Sequence, residues 1–573
     1  MSIDQMVQAM SGNSIEADYV IIGAGSAGSV LAERLSANGR NQVIVLEYGG
    51  SDLSPFIQMP GALSYPMNMA RYDWGYQASN DPGVAGRRLA CPRGKVVGGS
   101  SSINGMIYVR GHGSDYDRWE EMGAAGWGWQ HVLPYFKAIE TAHDVECKSD
   151  AGDAAKGLAW RGKHGPLHIT RGRLANPLFH AFLKAGQQAG YPLTHDYNGY
   201  QQEGICVFDR TIWRGRRWSA ADAWLHPATK RANLRLLSHS WCQRILFENH
   251  RAIGIEAVGK DGKLFCIHAA REVIIAAGAI GAPLLLMRSG IGPADDLRLR
   301  GITMVQDRPG VGCNLHDHLE LYLQIRASQP VSLAPWLGLL PKALAGAWWM
   351  IARGGPAASN QFEAGAFIRS RAGISAPDIQ IHFLPVAVRY DGKAPERGHG
   401  FQMHVGPMHP RSRGVIRLGE SCEAPPVIEF RYLSEPGDLA DFRRSVQLAR
   451  EILRQDAFQP YYGGEIAPGE MVDGDRLDDY IRSHSESAYH PCGTCRMGDR
   501  QDSNAVVDPE CRVIGVDGLR IADSSIFPHI TNGNTNAPSI MVGRKAAAHI
   551  LGETLPADPG GYWVPSNWKT SQH

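Results

Sequence analysis

The sequence predicts a mixed α/β fold with two sheet-built halves, on three observations. The apolar run Asp18–Ile22 leads straight into Gly23-Ala-Gly-Ser-Ala-Gly28 and a stretch of helical spacing, Ser29–Ser36. With the apolar run Gln42–Leu46 that follows, this reads as a βαβ unit. Two further strand-like runs, Arg271–Gly278 and Gly518–Asp523, come much later in the chain. Residues 330–430 mix apolar runs with alternation, the pattern of a separate sheet.

A chain of 573 residues is too long for one ordinary core, so two domains, or one very large domain with a cap, are expected. Hydrophobic residues make up 43% and charged residues 20%, an ordinary globular balance. Lysine plus arginine number 58 against 57 acids, and a net charge of +1 gives no electrostatic case for nucleic acid. Ten cysteines are scattered rather than dense, and the first residues carry acids with no apolar core of a signal. No window holds eighteen uninterrupted apolar residues, so no spanning helix is expected. Reduced thiols and a cytoplasmic location follow as expectations.

In order along the chain, residues 1–16 read as a loose leader. The βαβ unit comes next and ends at Glu47. Residues 50–115 are rich in Gly, Pro, Asn and Ser, the kind of long irregular segment that wraps a ligand. Residues 115–140 read as helical and 147–165 as a polar surface loop. Asp438–Arg454 has amphipathic helical spacing, and Ala537–Leu551 reads as a closing helix. The late strand Gly518–Asp523 is expected to return to the first sheet.

Gly23, Gly25 and Gly28 fit the dinucleotide fingerprint: a tight turn, a close approach of backbone to pyrophosphate, and close helix–strand packing. The helix N-terminus then faces phosphate with its partial positive charge. Glu47 ends the second strand, where a carboxylate accepts from ribose hydroxyls. The fingerprint alone does not separate NAD from FAD. A second Gly/Ser loop, Arg93–Asn104, suits the far part of a more extended cofactor and favours FAD.

At this point the chain resembles the glucose–methanol–choline oxidoreductase family. The resemblance is carried by GKVVGGSSSINGMIYVRG (94–111), GAIGAPLLLMRSGIG (278–292), YHPCGTCRMG (489–498) and GLRIADSSIFPHITNGNTNAPSIM (518–541). SNQFEAGAFIRS (359–370), HFLPVAVRYDG (382–392) and HGFQMHVGPMHPRSRG (399–414) resemble its choline dehydrogenases and their alcohol dehydrogenase relatives. The pattern departs at Ala282, where Ser or Thr is usual, and at Tyr48, where Ala is usual.

The resemblance implies a Rossmann-like FAD-binding domain interleaved with a substrate-binding domain built on an antiparallel sheet with helices. Residues 16–155, 211–320 and 476–555 would form the first, 156–210 and 321–475 the second, with tails at 1–15 and 556–573. Gly23, Gly25, Gly28 and Glu47 would hold the adenosine diphosphate half of FAD. Gly98, Gly99, Ser100 and Asn104 would lie along flavin and pyrophosphate, and Asp523, Asn536 and Pro538 at the flavin end. Some relatives attach the flavin through a His directly before the motif Asn; Ile103 stands there, so FAD is expected to be non-covalent.

The implied chemistry is alcohol oxidation to an aldehyde or ketone. His490 matches the family's active-site histidine, and its side chain type suits a base near neutral pH. Asn534 matches the second active-site position and would hydrogen-bond the alkoxide. Glu363 is aligned with a carboxylate that faces a trimethylammonium group, and His409 with a second active-site histidine. Cys492 and Cys495 form a CxxC with no partner pair at zinc spacing, so they are read as structural and no metal is expected. Electrons would pass to a quinone or other carrier, or to O2 in an oxidase; a lyase on the same fold is a further alternative. Homo-oligomerisation is an open expectation. Trp336–Ala352 is strongly apolar but short for a span. It reads either as a buried element or as an exposed lid touching a membrane surface, which would place the protein peripherally at the inner membrane face.

Overall fold

The structure is a computed structural model describing residues 14–143, 160–388, 398–421 and 424–573. Most of the surface loop expected at 147–165 lies outside these residues, as does the end of the 382–392 stretch.

The first sheet has seven strands. In spatial order they are Trp241–Glu248, Arg251–Val258, Leu264–Ile275, Ser14–Ile22, Val43–Glu47 and Leu234–Ser238, with Leu519–Ile521 joined to Leu264–Ile275. The central pairs are parallel, and Val20–Ile22, Val43–Glu47 and Val273–Ile275 are buried, as continuous Val/Ile/Leu runs require when both faces are covered. The late strand does return, pairing Val273 with Leu519. The first strand begins at Ser14 rather than Asp18, because the long Leu264–Ile275 strand extends beside it and pairs Ser14 with Cys266.

Three helices enter this sheet's edge with their N-termini together: Ser26–Ser36, Gly278–Arg288 and Asn536–Leu551. The Ser26 hydroxyl donates to Asn536 Oδ1 at 2.8 Å and ties the first to the third. Gly543 allows those two to close, since a Cβ there would stand 2.7 Å from Ala27 O. The helical region expected at 115–140 is two helices, Gly113–Glu121 and Trp129–Ile139. The intervening Gly123 and Gly126 take positive φ of 96° and 76°, which ends the first helix.

The second sheet is antiparallel, ordered Tyr462–Ala467, Leu319–Ala327, Gly400–Pro407, Ile379–Leu384, Ala364–Ile368 and Gly204–Val207. Its strands come from segments that alternate in sequence with those of the first sheet. One face is apolar and covered by the helices Pro177–Gln188 and Pro436–Leu453; Phe383, for example, stacks on Phe182 at 4.9 Å. The opposite face carries Glu320, Tyr322 and Gln324 on one strand, Gln380 and His382 on another, and Gln402 and His404 on the third. Period-two alternation puts these side chains on one side, and the register sets His404 between Tyr322 and His382. A buried polar sheet face needs partners, and it finds them in the cavity below.

Residues 556–573, expected as a tail, run over both halves. Lys137 pairs with Asp558, Trp563 N donates to Tyr200 O, and Arg369 donates to Ser571 O.

Candidate active site

One cavity of about 1540 Å³ runs from Gly23, Gly25 and Glu47 to His490 and Asn534. Single small-molecule pockets are roughly 300–1,000 Å³, so this volume has room for an extended cofactor and a substrate together.

At the nucleotide end Gly28 sits under the turn, where an added Cβ would meet Gly23 O at 1.9 Å. Glu47 is buried and accepts from Gly49 N at 2.7 Å and Ala24 N at 3.1 Å. Burial outweighs those hydrogen bonds and lifts its carboxyl to about 7. The Gly/Ser loop crosses directly over: a Cβ on Gly99 would stand 2.7 Å from Gly25 Cα, and Gly98 N donates to Ala24 O. Gly99, Ser100 and Asn104 line the cavity; Gly98 sets the turn behind them at φ +85°. Asn104 is held by Arg217, a buried guanidinium that also bonds Ile57 O and Ser101 O and that sequence reading missed. Asp523 and Asn536 line the cavity, Asp523 accepting from Gly278 N, while Pro538 lies buried in the first turn of its helix, off the wall. Three helix N-termini facing one end, with a glycine-lined floor, fit the pyrophosphate of a dinucleotide. Ile103 lines the cavity beside Asn104, offering no nucleophile for a flavin linkage. Tyr48 stacks on Trp74 at 4.8 Å near the same end.

At the other end, hydrogen bonds settle which nitrogen of His490 is unprotonated. His318 Nε2 lies 2.8 Å from the Met408 carbonyl, which only accepts, so His318 carries its proton there. Its Nδ1 is then an acceptor, 3.0 Å from His490 Nδ1, which must donate. This leaves the Nε2 lone pair of His490 toward the cavity, where Asn534 Nδ2 lies 3.0 Å away. Gln380 Nε2 donates to Asn534 Oδ1 at 3.2 Å and fixes that amide's orientation. Asp317 accepts from His490 N at 2.7 Å and from Tyr432 and Ser487, anchoring the histidine's backbone. Burial, then the neighbouring His318, His382 and Arg93, push the His490 pKa well below its ordinary value, so the imidazole is neutral. The arrangement is a neutral base with an amide donor beside it.

The carboxylate in this cavity is Glu320, which sequence reading missed. His404 explains its position. Gln402 Oε1 accepts from Val388 N at 2.9 Å, so its NH2 group donates to His404 Nε2 at 2.7 Å. His404 therefore holds its proton on Nδ1 and gives it to Glu320 Oε1 at 3.1 Å. Burial alone would raise the Glu320 carboxyl; His404 and His382 beside it, with hydrogen bonds from His404 and Tyr322, hold it below the usual value. Tyr322 stacks on His404 at 3.9 Å and Phe362 stands edge-on to both His382 and His404. The His382 Nε2 and Asn360 Oδ1 atoms are buried with no hydrogen-bond partner among the described residues. A carboxylate and two imidazoles within 4.8 Å have the donor types of a metal site. The Gln402 amide opposes that use, because it keeps a proton rather than a lone pair on the His404 nitrogen facing Glu320.

Two expected substrate residues lie elsewhere. Glu363 is not on the cavity wall: its carboxylate takes Arg210 at 2.9 Å, the Ser359 hydroxyl at 2.6 Å and Leu174 N at 2.7 Å. Its carboxylate is engaged in an ion pair between buried groups. His409 lies just past the end of the Gly400–Pro407 strand, 3.7 Å from Asp115 and beside His529, also off the wall. Cys492 and Cys495 are buried and form no disulfide, with burial raising both thiols well above the ordinary value.

The GMC oxidoreductase family models match residues 17–320 and 410–543. The chain is 55% identical to an oxygen-dependent choline dehydrogenase of Sinorhizobium fredii, over 97% of this chain and 100% of that one. It is equally 55% identical, at the same coverage, to an oxygen-dependent choline dehydrogenase of Brucella suis. Among solved structures it is similar to a pyridoxine 4-oxidase from Mesorbium loti, with TM-score 0.82 and 33% identity, covering 93% of this chain and 99% of that one.

Proposed function

This chain belongs to the GMC oxidoreductase family, an FAD-dependent group, and from that premise we propose that it oxidises choline, or a close quaternary-ammonium alcohol, to the aldehyde. The observation that carries the reading is one cavity presenting both the unprotonated Nε2 of His490, beside the Asn534 amide, and the ionised carboxylate of Glu320. The trimethylammonium group sits against Glu320 and the faces of Tyr322 and Phe362, a carboxylate and π-surface that together favour a cation. The hydroxyl lies at His490 and Asn534. His490 takes the hydroxyl proton on Nε2, and the resulting imidazolium is stabilised through His318, whose Nδ1 accepts the other N–H. Asn534 donates to the alkoxide oxygen as its charge develops. FAD, when bound, supplies the hydride acceptor. It is held non-covalently, because Ile103 offers nothing to link it.

Electrons then leave to a quinone or another carrier. A second reading, O2 as the acceptor, is favoured by the oxygen-dependent relatives and the similar pyridoxine oxidase. The test is anaerobic mixing of the purified yellow protein with choline and with neutral aliphatic and aromatic alcohols. Choline should bleach the flavin band fastest. Bleaching by a neutral alcohol in preference to choline overturns the substrate assignment, and no bleaching by any alcohol overturns the reaction.

A further inference from the structure

The apolar stretch Trp336–Ala352 is not a core element: it holds a helix, Leu339–Ala352, of which only Ala345 and Trp349 are buried. A second cavity, of about 640 Å³, adjoins the nucleotide end of the first, and the reaction makes no use of it. Its volume is that of a single small-molecule pocket. Tyr48 and Trp241 line both cavities and so form the partition between them. Tyr48 is also a position where the chain departs from the family pattern, which has Ala. A methyl group could not build this partition. The tyrosine ring stacks at 4.8 Å on Trp74, which lines only the large cavity, and so stands between the two spaces.

The lining of the second cavity is cationic. Arg71, Lys95 and Lys260 bring positive charge and His239 an imidazole, and no aspartate or glutamate is among the residues that line it. The four come from separate parts of the chain. Arg71 lies in the irregular stretch after the βαβ unit and Lys95 in the Gly/Ser loop. His239 follows the strand Leu234–Ser238, and Lys260 sits in the hairpin between Arg251–Val258 and Leu264–Ile275. Gly50 brings His239 onto the wall, since a Cβ there would stand 2.8 Å from His239 Cε1. Gly49, Gly259 and Gly262 line the cavity as well, so backbone meets an occupant beside the charged side chains.

Nothing nearby neutralises these cations. The acids that neighbour the lining residues in sequence are all engaged elsewhere. Glu47 accepts from Gly49 N and Ala24 N, and Asp52 pairs with His226 at 3.0 Å. Asp73 accepts from Arg93 N at 2.7 Å, and Asp261 faces Lys263 at 3.6 Å. In a chain whose net charge is only +1, three cations without a carboxylate in one concave site are a local concentration and not a general basic surface. Like charges gathered in a cleft repel one another and draw in an anion.

We propose that this second cavity binds a soluble nucleoside polyphosphate, its phosphates among Arg71, Lys95 and Lys260 and its base against the rings of Tyr48 and Trp241. Guanidinium and ammonium groups suit phosphate oxygens, and partly exposed aromatic rings suit a flat base. The occupant braces the partition from behind, so it slows the loss of FAD from the large cavity and does not displace it. The binding is independent of the choline reading, since it is measured with no alcohol present.

The experiment is calorimetric titration of the FAD-loaded protein with magnesium-free ATP, tripolyphosphate and adenosine, in about 50 mM and about 500 mM NaCl. It is repeated on the variant Arg71→Ala/Lys260→Ala, which removes two exposed side chains. ATP should bind at one site per chain, tripolyphosphate more weakly and adenosine not measurably. ATP affinity should fall at least about tenfold in the variant with intact flavin absorbance and melting, and at least about tenfold at the higher salt. Flavin fluorescence released on dilution should appear more slowly with ATP present than without it. If the double variant fails to fold, Lys260→Ala alone decides, with a loss of at least about threefold. The proposal is overturned by an absence of ATP binding, by binding that the folded variant retains, or by tripolyphosphate binding as tightly as ATP. It is also overturned if ATP speeds flavin release, which would place the nucleotide in the FAD site.

Discussion

Glu320→Gln isolates the charge of the cavity carboxylate with little change of shape. The carboxamide oxygen still accepts from His404 Nδ1–H, so the 3.1 Å hydrogen bond that positions the side chain survives. What is lost is the attraction for a substrate cation. At a separation of about 5 Å and an effective dielectric near 20, that attraction is about 3 kcal/mol. Desolvation of the ammonium offsets part of it, and about 2 kcal/mol remains, a fall in kcat/KM of roughly 30-fold. The charge acts on bound substrate and transition state alike, so the loss should appear mainly in KM. The assay compares choline with its neutral isostere 3,3-dimethylbutan-1-ol under identical conditions. For the isostere kcat/KM should change by less than about 3-fold. Equal losses for the two alcohols would refute the charge argument, because they would mean that the substitution had simply disturbed the site.

The remaining expectations are these. Because the Glu320 carboxyl is held below its usual value, it stays ionised at all pH above that value, and the choline-to-isostere ratio should be constant from about pH 6 to 9; a ratio that titrates near neutrality contradicts the hydrogen-bond chain through His404. Glu363→Gln breaks a buried pair with Arg210 and should lower unfolding free energy by about 3–5 kcal/mol in urea melts while leaving the choline-to-isostere ratio unchanged; a changed ratio in a stable variant would return Glu363 to the substrate site. Asn534→Ala should reduce the rate of anaerobic flavin reduction by about 10²-fold with FAD retained; an unchanged rate removes it from the alkoxide. Acid precipitation should leave yellow flavin in the supernatant, and flavin kept in the unfolded pellet would show a covalent link that Ile103 does not explain.

The parallel centre of the first sheet was legible because buried parallel strands write themselves as unbroken apolar runs, and because the Gly23–Gly28 turn has a steric reason visible in the residues; Leu234–Ser238, Trp241–Glu248 and Arg251–Val258, which mix exposed and buried positions, went unread. His490 and Asn534 were legible only through motif resemblance; no local pattern distinguishes His490 among 22 histidines. The cavity face of the second sheet was written in the sequence and went unread. Glu320-x-Tyr322-x-Gln324, Gln380-x-His382 and Gln402-x-His404 each alternate polar and apolar residues. In a strand with polar residues on one side, the usual meaning is a solvent face, and only the assembled sheet shows that this face is covered. Glu363 entered through the family resemblance alone, and its partner Arg210 lies 153 residues away and is joined to it only by the fold, which places the pair off the cavity wall. The Met408 carbonyl that sets the tautomer of His318, and so leaves His490 Nε2 unprotonated, is backbone and leaves no trace in sequence.

The most direct test of His490 as the base is anaerobic stopped-flow reduction of the bound flavin by saturating choline in wild type and His490→Ala. The variant should bind FAD with an unchanged oxidised spectrum and be reduced about 10²–10⁴-fold more slowly, the usual loss for a positioned base. Reduction of the variant at a rate near that of wild type would contradict the assignment of proton abstraction to this histidine.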